Sequence, residues 1–360
     1  MPGYGKCSVQ MPNKALIYNP FWDTFGGGER YTATFAKMLL DHGWSLDILW
    51  PENISSQIKN RFGLDLSQAK WLPEKFSPFS TINYQLVFWL SDGSIPISLA
   101  GKTIIHLQFP FTGIGGHAPV NYLKSRFYKF VVNSGFTKSY IDREFHIQSQ
   151  ILYPPVDVKA FVPGKKAHQI LYVGRFSNLT QRKGQEILIR AFSGISNKMP
   201  GWKLILTGGT AVGTGRNDLI KLRRQIGKLP VEIITDPDLP TLKKLYAQSQ
   251  IFWSASGFGV DADSDPTHVE HFGITVVEAM SAGCTPVITR LGGHKEIVTQ
   301  GVDGFLFDKL SELSDYTLHL VSSRDLWQQI SQAAVAKSKM FSVERFNEKA
   351  LALVSSGSDT

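Results

Sequence analysis

Residues 14–50 read KALIYNPFWDTFGGGERYTATFAKMLLDHGWSLDILW, and the order of patterns within them decides the fold class. Lys14 to Tyr18 is a short apolar run that reads as a buried strand. Asn19 to Gly28 is a loop ending in three glycines. From Glu29 to His42, Tyr31, Phe35, Met38 and Leu39 fall on one face at helical spacing. Trp44 to Trp50 alternates as a strand does. Strand, glycine loop, helix and strand make a βαβ unit, the opening of a doubly wound parallel α/β domain. Further strands are predicted at 86–90, 103–108 and 130–134. The prolines of YPPVD at 153–157 halt regular structure, because proline neither donates to a ladder nor continues a helix.

After them the pattern restarts. Strands at 170–176, 202–209, 231–235, 251–256, 285–290 and 304–308 are interspersed with helices at 184–192, 239–249 and 274–282. SVERFNEKALALV (342–354) reads as a closing helix. The expected division is a Rossmann-like domain over 1–155, with 1–12 as a loose tail, and a second over 156–335.

The 360 residues are 42% hydrophobic and 19% charged. That balance belongs to a globular chain with real cores, and the length suits two domains. Lys and Arg number 38 against 30 Asp and Glu, a net charge of +8. The excess favours a phosphorylated ligand, a polyanion or an anionic membrane surface. Nucleic acid is set aside, because the basic residues are scattered and no zinc-finger or RNA-binding motif is present. Cys7 and Cys284 stand far apart without metal-ligand spacing, as suits a reducing compartment. The opening residues lack an apolar signal core, and no stretch reaches the ~18 apolar residues of a membrane span. A cytoplasmic protein is expected, with contact at the inner face of a membrane left open.

The stretch richest in chemistry is EHFGITVVE, Glu270 to Glu278. Gly273 lets the chain turn into a helix beginning near Ile274. The first amides of that helix lack internal partners and, with the helix dipole, suit a phosphate. Thr275 adds a hydroxyl. Glu278 stands about 6 Å further along the axis at ~1.5 Å per residue, where a carboxylate can accept from a ribose diol. Glu270 precedes the turn, at the sugar end. On spacing alone the pattern equally suits two solvent-facing glutamates around an ordinary helix start.

Glu270 and Glu278, followed by AMSAGCTPVITR and GGHKEIV, resemble the signature of the retaining glycosyltransferases of family 4, which have the GT-B fold. The resemblance covers most of the chain. It takes in the glycine loop, VGRFSNLTQRKGQEILIRAF with Arg175 and Lys183, and GVDGFLFD at 301–308. NPFWDTFGGGER together with EHFG also resembles the α-1,2-mannosyltransferases that build eukaryotic lipid-linked oligosaccharides.

The resemblance implies two Rossmann-like domains facing each other across a cleft, with segment 336–360 crossing back to the first. It implies hexose transfer from a nucleotide-diphosphate sugar to a glycan or lipid-linked hydroxyl, with no metal-dependent cofactor. UDP-hexose is the first expectation for the donor and GDP-mannose the second. Arg175 and Lys183 match the diphosphate-binding pair, two cations that neutralise a leaving group. Gly27 and Gly28 match the loop beside the donor phosphates. Phe272, Gly273, Ile274 and Thr275 match the donor turn, with Glu270 positioning the sugar and Glu278 anchoring the ribose. His106 matches a histidine near the reacting centre, though it also reads as a satisfied core residue. Asn133 and Ser134 match a turn on the acceptor side, and read equally as helix caps.

Other readings have less behind them. Asp261-Ala262-Asp263 spells a metal-binding DxD, but inside a polar loop. Asp236-Pro237-Asp238 reads as a turn near the nucleobase. GGTAVGTG (208–215) matches neither a Walker loop nor a dinucleotide fingerprint. An oxidoreductase would need that fingerprint, and a non-catalytic sugar-binding subunit would not need Arg175, Lys183, Glu270 and Glu278 together. YLKSRFYKFVV (122–132) interleaves Lys124, Arg126 and Lys129 with Tyr122, Phe127, Tyr128 and Phe130. It reads as a helix with a buried aromatic face and a solvated basic one; a membrane-surface stretch is the alternative.

Overall fold

A computed structural model of the chain describes residues 13–73, 76–176, 183–210 and 216–356. Cys7, Arg182 and the 211–215 part of the second glycine-rich stretch lie outside the described residues. The first half of the chain runs β1 (Lys14–Tyr18), α1 (Gly27–Asp41), β2 (Ser45–Leu49), α2 (Ser55–Phe62), β3 (Lys70–Leu72), β4 (Leu86–Leu90), β5 (Thr103–Leu107), α3 (Pro119–Ser125), β6 (Lys129–Val132), α4 (Gly135–Phe145) and β7 (Gln150–Ile151). The second runs β8 (Ala167–Val173), α5 (Gln185–Ile195), β9 (Lys203–Gly208), α6 (Arg216–Ile226), β10 (Val231–Thr235), α7 (Leu239–Gln248), β11 (Ser249–Ser254), α8 (Ile274–Ser281), β12 (Thr285–Thr289), α9 (His294–Ile297), β13 (Phe305–Phe307), α10 (Leu310–Ser322), α11 (Arg324–Ser338) and α12 (Val343–Ser355).

The strands form two sheets, ordered β3-β2-β1-β4-β5-β6-β7 and β10-β9-β8-β11-β12-β13. Every pairing is parallel. Parallel strands carry helices on both faces, so their side chains are hidden on both sides. LVFWL, TIIHL and TPVIT are accordingly buried at every position. Strand order reverses between β1 and β4 in one sheet and between β8 and β11 in the other. In sheets of this kind a ligand crevice opens at the carboxyl ends of the strands flanking the reversal. The architecture is GT-B: two Rossmann-like α/β units.

The chain passes between the sheets at two adjoining places. Val156 forms a bridge with Ser342, and its amide donates to the Phe341 carbonyl at 2.9 Å. Beyond that bridge α12 places Phe346, Ala350 and Leu353 in the core formed by α1 and the first sheet. Phe346 meets the Tyr31 ring edge-on at 4.9 Å. One sequence expectation needs correction here. Residues 122–132 are not a single helix with a buried aromatic face: α3 ends at Ser125, Phe130 belongs to β6, and Tyr122 and Phe127 are exposed. No described helix is long and apolar enough to cross a membrane.

Because α12 completes the core of the first sheet, Phe346→Ala removes a fully packed ring. The expected loss is about 3 kcal/mol in chemical denaturation; a loss well below 1 kcal/mol would show that α12 is only laid on the surface.

Candidate active site

The second sheet brings four segments together at the carboxyl ends of its central strands. Gly273 adopts φ 114 as the residue before α8, and a Cβ there would lie 3.1 Å from the His294 ring. The amides of Ile274 and Thr275 head α8 without acceptors inside the helix. Gly292 and Gly293 let the Glu270–Phe272 segment pass closely: a Cβ on either would fall 2.1 Å from the Glu270 carbonyl oxygen or 2.4 Å from that of His271. The Gly293 amide donates to the Glu270 carbonyl at 2.8 Å, which fixes the backbone of that residue. Lys183 arrives from the other side. The next residue, Gly184, has φ 68 and packs against the backbone of Ala255, just past β11.

Lys183 Nζ lies 2.8 Å from Glu270 Oε2, and both side chains are largely hidden. Burial works to raise the Glu270 carboxyl. Only together do the Lys183 ammonium, His294, the hydrogen bond and His271 overcome it and hold the group down to about 2. Two histidines flank the pair. Burial lowers His271 and His294 to about 4 each, so both are neutral near pH 7. His294 Nδ1 faces two acceptors, the Thr289 carbonyl at 3.1 Å and a Thr289 hydroxyl whose own proton goes to Ser256. Nδ1 therefore carries the proton. The buried Nε2 has no partner among the described residues and lies beside Gly273. Arg175 follows β8 and is exposed; its charge and that of Glu270 both act on the Tyr172 hydroxyl.

The first sheet presents its glycine loop to this pocket. A Cβ on Gly27 would stand 3.1 Å from the Ile274 side chain, so the first turns of α1 and α8 meet. Gly28 sits against Gln108, whose side chain a Cβ would strike at 2.5 Å. Glu29 accepts from the Gly26 amide at 2.7 Å and fixes the start of α1. Arg30, one residue on, reaches across to Glu278 Oε1 at 3.0 Å, while the Tyr246 hydroxyl donates to Oε2 at 2.9 Å. Burial pushes the Glu278 carboxyl up, and Arg30 and Tyr246 oppose the shift. Each oxygen of Glu278 keeps a further acceptor site. A second bridge comes from Glu296, which accepts from the Gly135 and Phe136 amides heading α4 at 2.7 and 2.9 Å, and from Tyr153 at 3.1 Å.

Three expected contacts change. His106 is fully buried: its ring stacks on Tyr31 at 3.9 Å, Nδ1 meets the Val131 carbonyl, and burial lowers it to about 3. It has no surface to offer a sugar. The residue that faces the glycine loop is Gln108, just past the end of β5. Ser134 is also fully buried and caps α4 by accepting from Thr137, and the Asn133 amide donates to the Gln108 carbonyl. The Phe272 ring packs on Tyr153 and Phe341 at 5.6 and 5.4 Å, so its side chain serves the contact between sheets and leaves its backbone to the turn. Among the acidic loops, Asp261 accepts from Asp263 and Ser264, Asp236 from Thr210, and Asp238 caps α7. Arg30, Gln108, Glu296 and His294 were missed from sequence. The only signal for Arg30 was its place one turn into the helix after the glycines.

Residues 155–337 match the family model described as Glycosyl transferases group 1. A GDP-Man:Man(3)GlcNAc(2)-PP-Dol alpha-1,2-mannosyltransferase of Dictyostelium discoideum is 26% identical over 240 residues, covering 61% of this chain and 46% of that protein. The chain thus spans about half the length of the curated relatives it matches. A glycosyltransferase of Rickettsia africae superposes with a TM-score of 0.75 at 18% identity, covering 96% of this chain and 98% of that one. Anabaena HepE, solved with UDP and glucose, superposes with a TM-score of 0.73 at 19% identity, covering 96% and 100%.

The Lys183–Glu270 pair has a pH signature. The folded Glu270 value of about 2 lies below its ordinary 4.5, so the ionised carboxylate favours the fold. Its contribution is fully present above about pH 5.5 and fades as pH falls through 4.5 towards 2. The Tm advantage of wild type over Glu270→Gln is therefore expected to be flat near neutrality and to shrink in acid. An advantage that grows in acid would contradict the assigned ionisation.

Proposed function

The chain belongs to the glycosyl transferases group 1 family, and from that premise we propose that it moves a hexose from a nucleotide-diphosphate sugar to a hydroxyl of a glycan or lipid-linked acceptor, with retention of configuration, as a family 4 enzyme. One observation carries the reading: a buried, ionised Lys183–Glu270 pair beside the first turn of α8, at the meeting of two Rossmann-like units. The amides of that turn suit the diphosphate, and Arg175 and Lys183 supply positive charge beside it.

In the proposed reaction the bond between the anomeric carbon and the diphosphate oxygen lengthens first. Lys183, Arg175 and the α8 amides stabilise the negative charge that builds on the leaving diphosphate. The acceptor oxygen bonds to the anomeric carbon on the face the diphosphate leaves, and its proton passes to a diphosphate oxygen. Glu270, ionised, orients the sugar hydroxyls and stabilises the positive charge on the ring. Glu278 holds the ribose, fixed in place by Arg30 and Tyr246. Glycan synthesis, on a polysaccharide or a glycolipid, is the pathway class this chemistry serves.

For the donor, the mannosyltransferase relative favours GDP-mannose. UDP-hexose, the first expectation from the sequence because UDP sugars are common donors, becomes the second reading; HepE at 19% identity speaks to the fold alone.

Lys183→Ala tests the reading. Its turnover should fall by roughly 100-fold or more while circular dichroism stays that of wild type; near wild-type turnover would remove the diphosphate assignment. On the same wild-type protein, GDP-mannose at about 100 times its Kd should raise stability by about 2.7 kcal/mol, and UDP-glucose less. The reverse order would return the donor to UDP-hexose.

A further inference from the structure

We propose that the first α/β unit carries a docking face for the surface of an anionic lipid bilayer, distinct from the donor pocket. α3 is the starting point, because none of its residues is buried. Val120, Leu123 and Phe127 recur at i, i+3 and i+7, and the helical turn continues through the Phe127 amide, which donates to the Lys124 carbonyl. The three side chains thus form one stripe. They cover no core and are 59%, 60% and 75% exposed.

Two neighbouring segments extend the stripe into a face. Ile97 and Leu99 stand out from the loop after β4, and Phe79 and Ile82 from the turn before it, all at least 47% exposed. Hydrogen bonds stitch these segments together. Lys124 Nζ donates to the Ile95 carbonyl at 2.7 Å, the Ser98 amide donates to the Tyr128 hydroxyl at 2.8 Å, and the Leu99 amide to the Thr81 hydroxyl at 2.8 Å. Single exposed apolar residues are ordinary on a protein surface, but several on adjoining segments mark an interaction site.

Charge decides what the face fits. Between Phe76 and Phe130 the only acidic residue is Asp92, against Lys102, Lys124, Arg126 and Lys129. Among the described residues none of these four cations is in an ion pair. Lys102 and Lys129 donate to oxygens at the end of α12, Lys124 to a carbonyl, and Arg126 to the Tyr122 hydroxyl. Neutral partners leave their charge uncompensated. A second copy seated symmetrically on this face would set cation against cation. An anionic bilayer meets both demands, taking the apolar side chains at the acyl boundary and the cations at the phosphates. The loop leading into α3 begins at Phe109, whose ring meets His271 in the cleft at 5.0 Å. Resting on the transfer reading above, docking there would bring a lipid-linked hydroxyl to the pocket; the docking itself requires no donor.

Flotation of the full chain with vesicles tests the face. Binding should be at least about tenfold stronger to phosphatidylcholine–phosphatidylglycerol vesicles than to phosphatidylcholine alone, and weaker in high salt. The exposed triple variant Val120→Ser, Leu123→Ser, Phe127→Ser should lose about tenfold or more of that binding with circular dichroism and nucleotide binding unchanged. Lys124→Gln with Arg126→Gln should lose the preference for anionic vesicles. No vesicle binding by wild type, or equal binding by the triple variant, overturns the proposal. So does a wild-type dimer in light scattering that the triple variant abolishes, since a second copy would then cover the face. Loss of nucleotide binding with vesicle binding intact would instead count against the transfer reading alone.

Discussion

A lysine ammonium and a glutamate carboxylate held 2.8 Å apart, with little water around either, are costly to place and costly to disturb. Burying either ion alone would shift it to its neutral form; pairing them keeps both charged. The surrounding backbone serves this pair. Gly184 lets Lys183 close on the end of β11, and Gly292 and Gly293 let the Glu270 segment lie flat against the start of α9. In the proposed reaction, the positive charge for a leaving diphosphate and the negative charge for the sugar ring are therefore in position before any ligand arrives. Such preorganisation is what lowers a barrier, because no reorientation remains for the moment of reaction.

The space beside the pair depends on how the two sheets are set. Arg30 on Glu278, Glu296 on the head of α4, and Gly27 against Ile274 all link one sheet to the other. Each lies within a short distance of the α8 turn, so the setting of the units controls the space beside that turn. Cleft closure in enzymes of this build excludes water and completes the site. The first helix contributes twice, through glycines that permit close approach and an arginine that fixes the Glu278 carboxylate.

Much of this was legible in the sequence, for identifiable reasons. A parallel sheet leaves apolar runs such as KALIY, LVFWL and TPVIT, and the glycines between strand and helix mark where the chain must turn tightly. Those signals are local, and they gave the fold class and most strand positions. The contact of Lys183 with Glu270 rests on 87 residues of separation and was reachable only through resemblance. His106 shows where the reading failed. TIIHL is buried on both faces, so its pattern marks no free side, and the side chain that meets the glycine loop is two residues on, past the strand end, at Gln108. Arg30 and Glu296 bond across the units, and nothing in a local pattern reports a partner on the other sheet. Of the aromatic residues of 122–132, Phe130 is in the core with Tyr128 packed beside it, while Tyr122 and Phe127 are exposed; no residue of α3 is buried, and only tertiary structure could say so.

The most direct test of the pyrophosphate grip is a crystal structure of the chain with its nucleoside diphosphate bound. The account predicts β-phosphate oxygens within ~3 Å of Lys183 Nζ and of the α8 head amides, with the ribose hydroxyls on Glu278. A nucleotide seated elsewhere, with the Lys183–Glu270 pair undisturbed and no phosphate at the α8 turn, would contradict it.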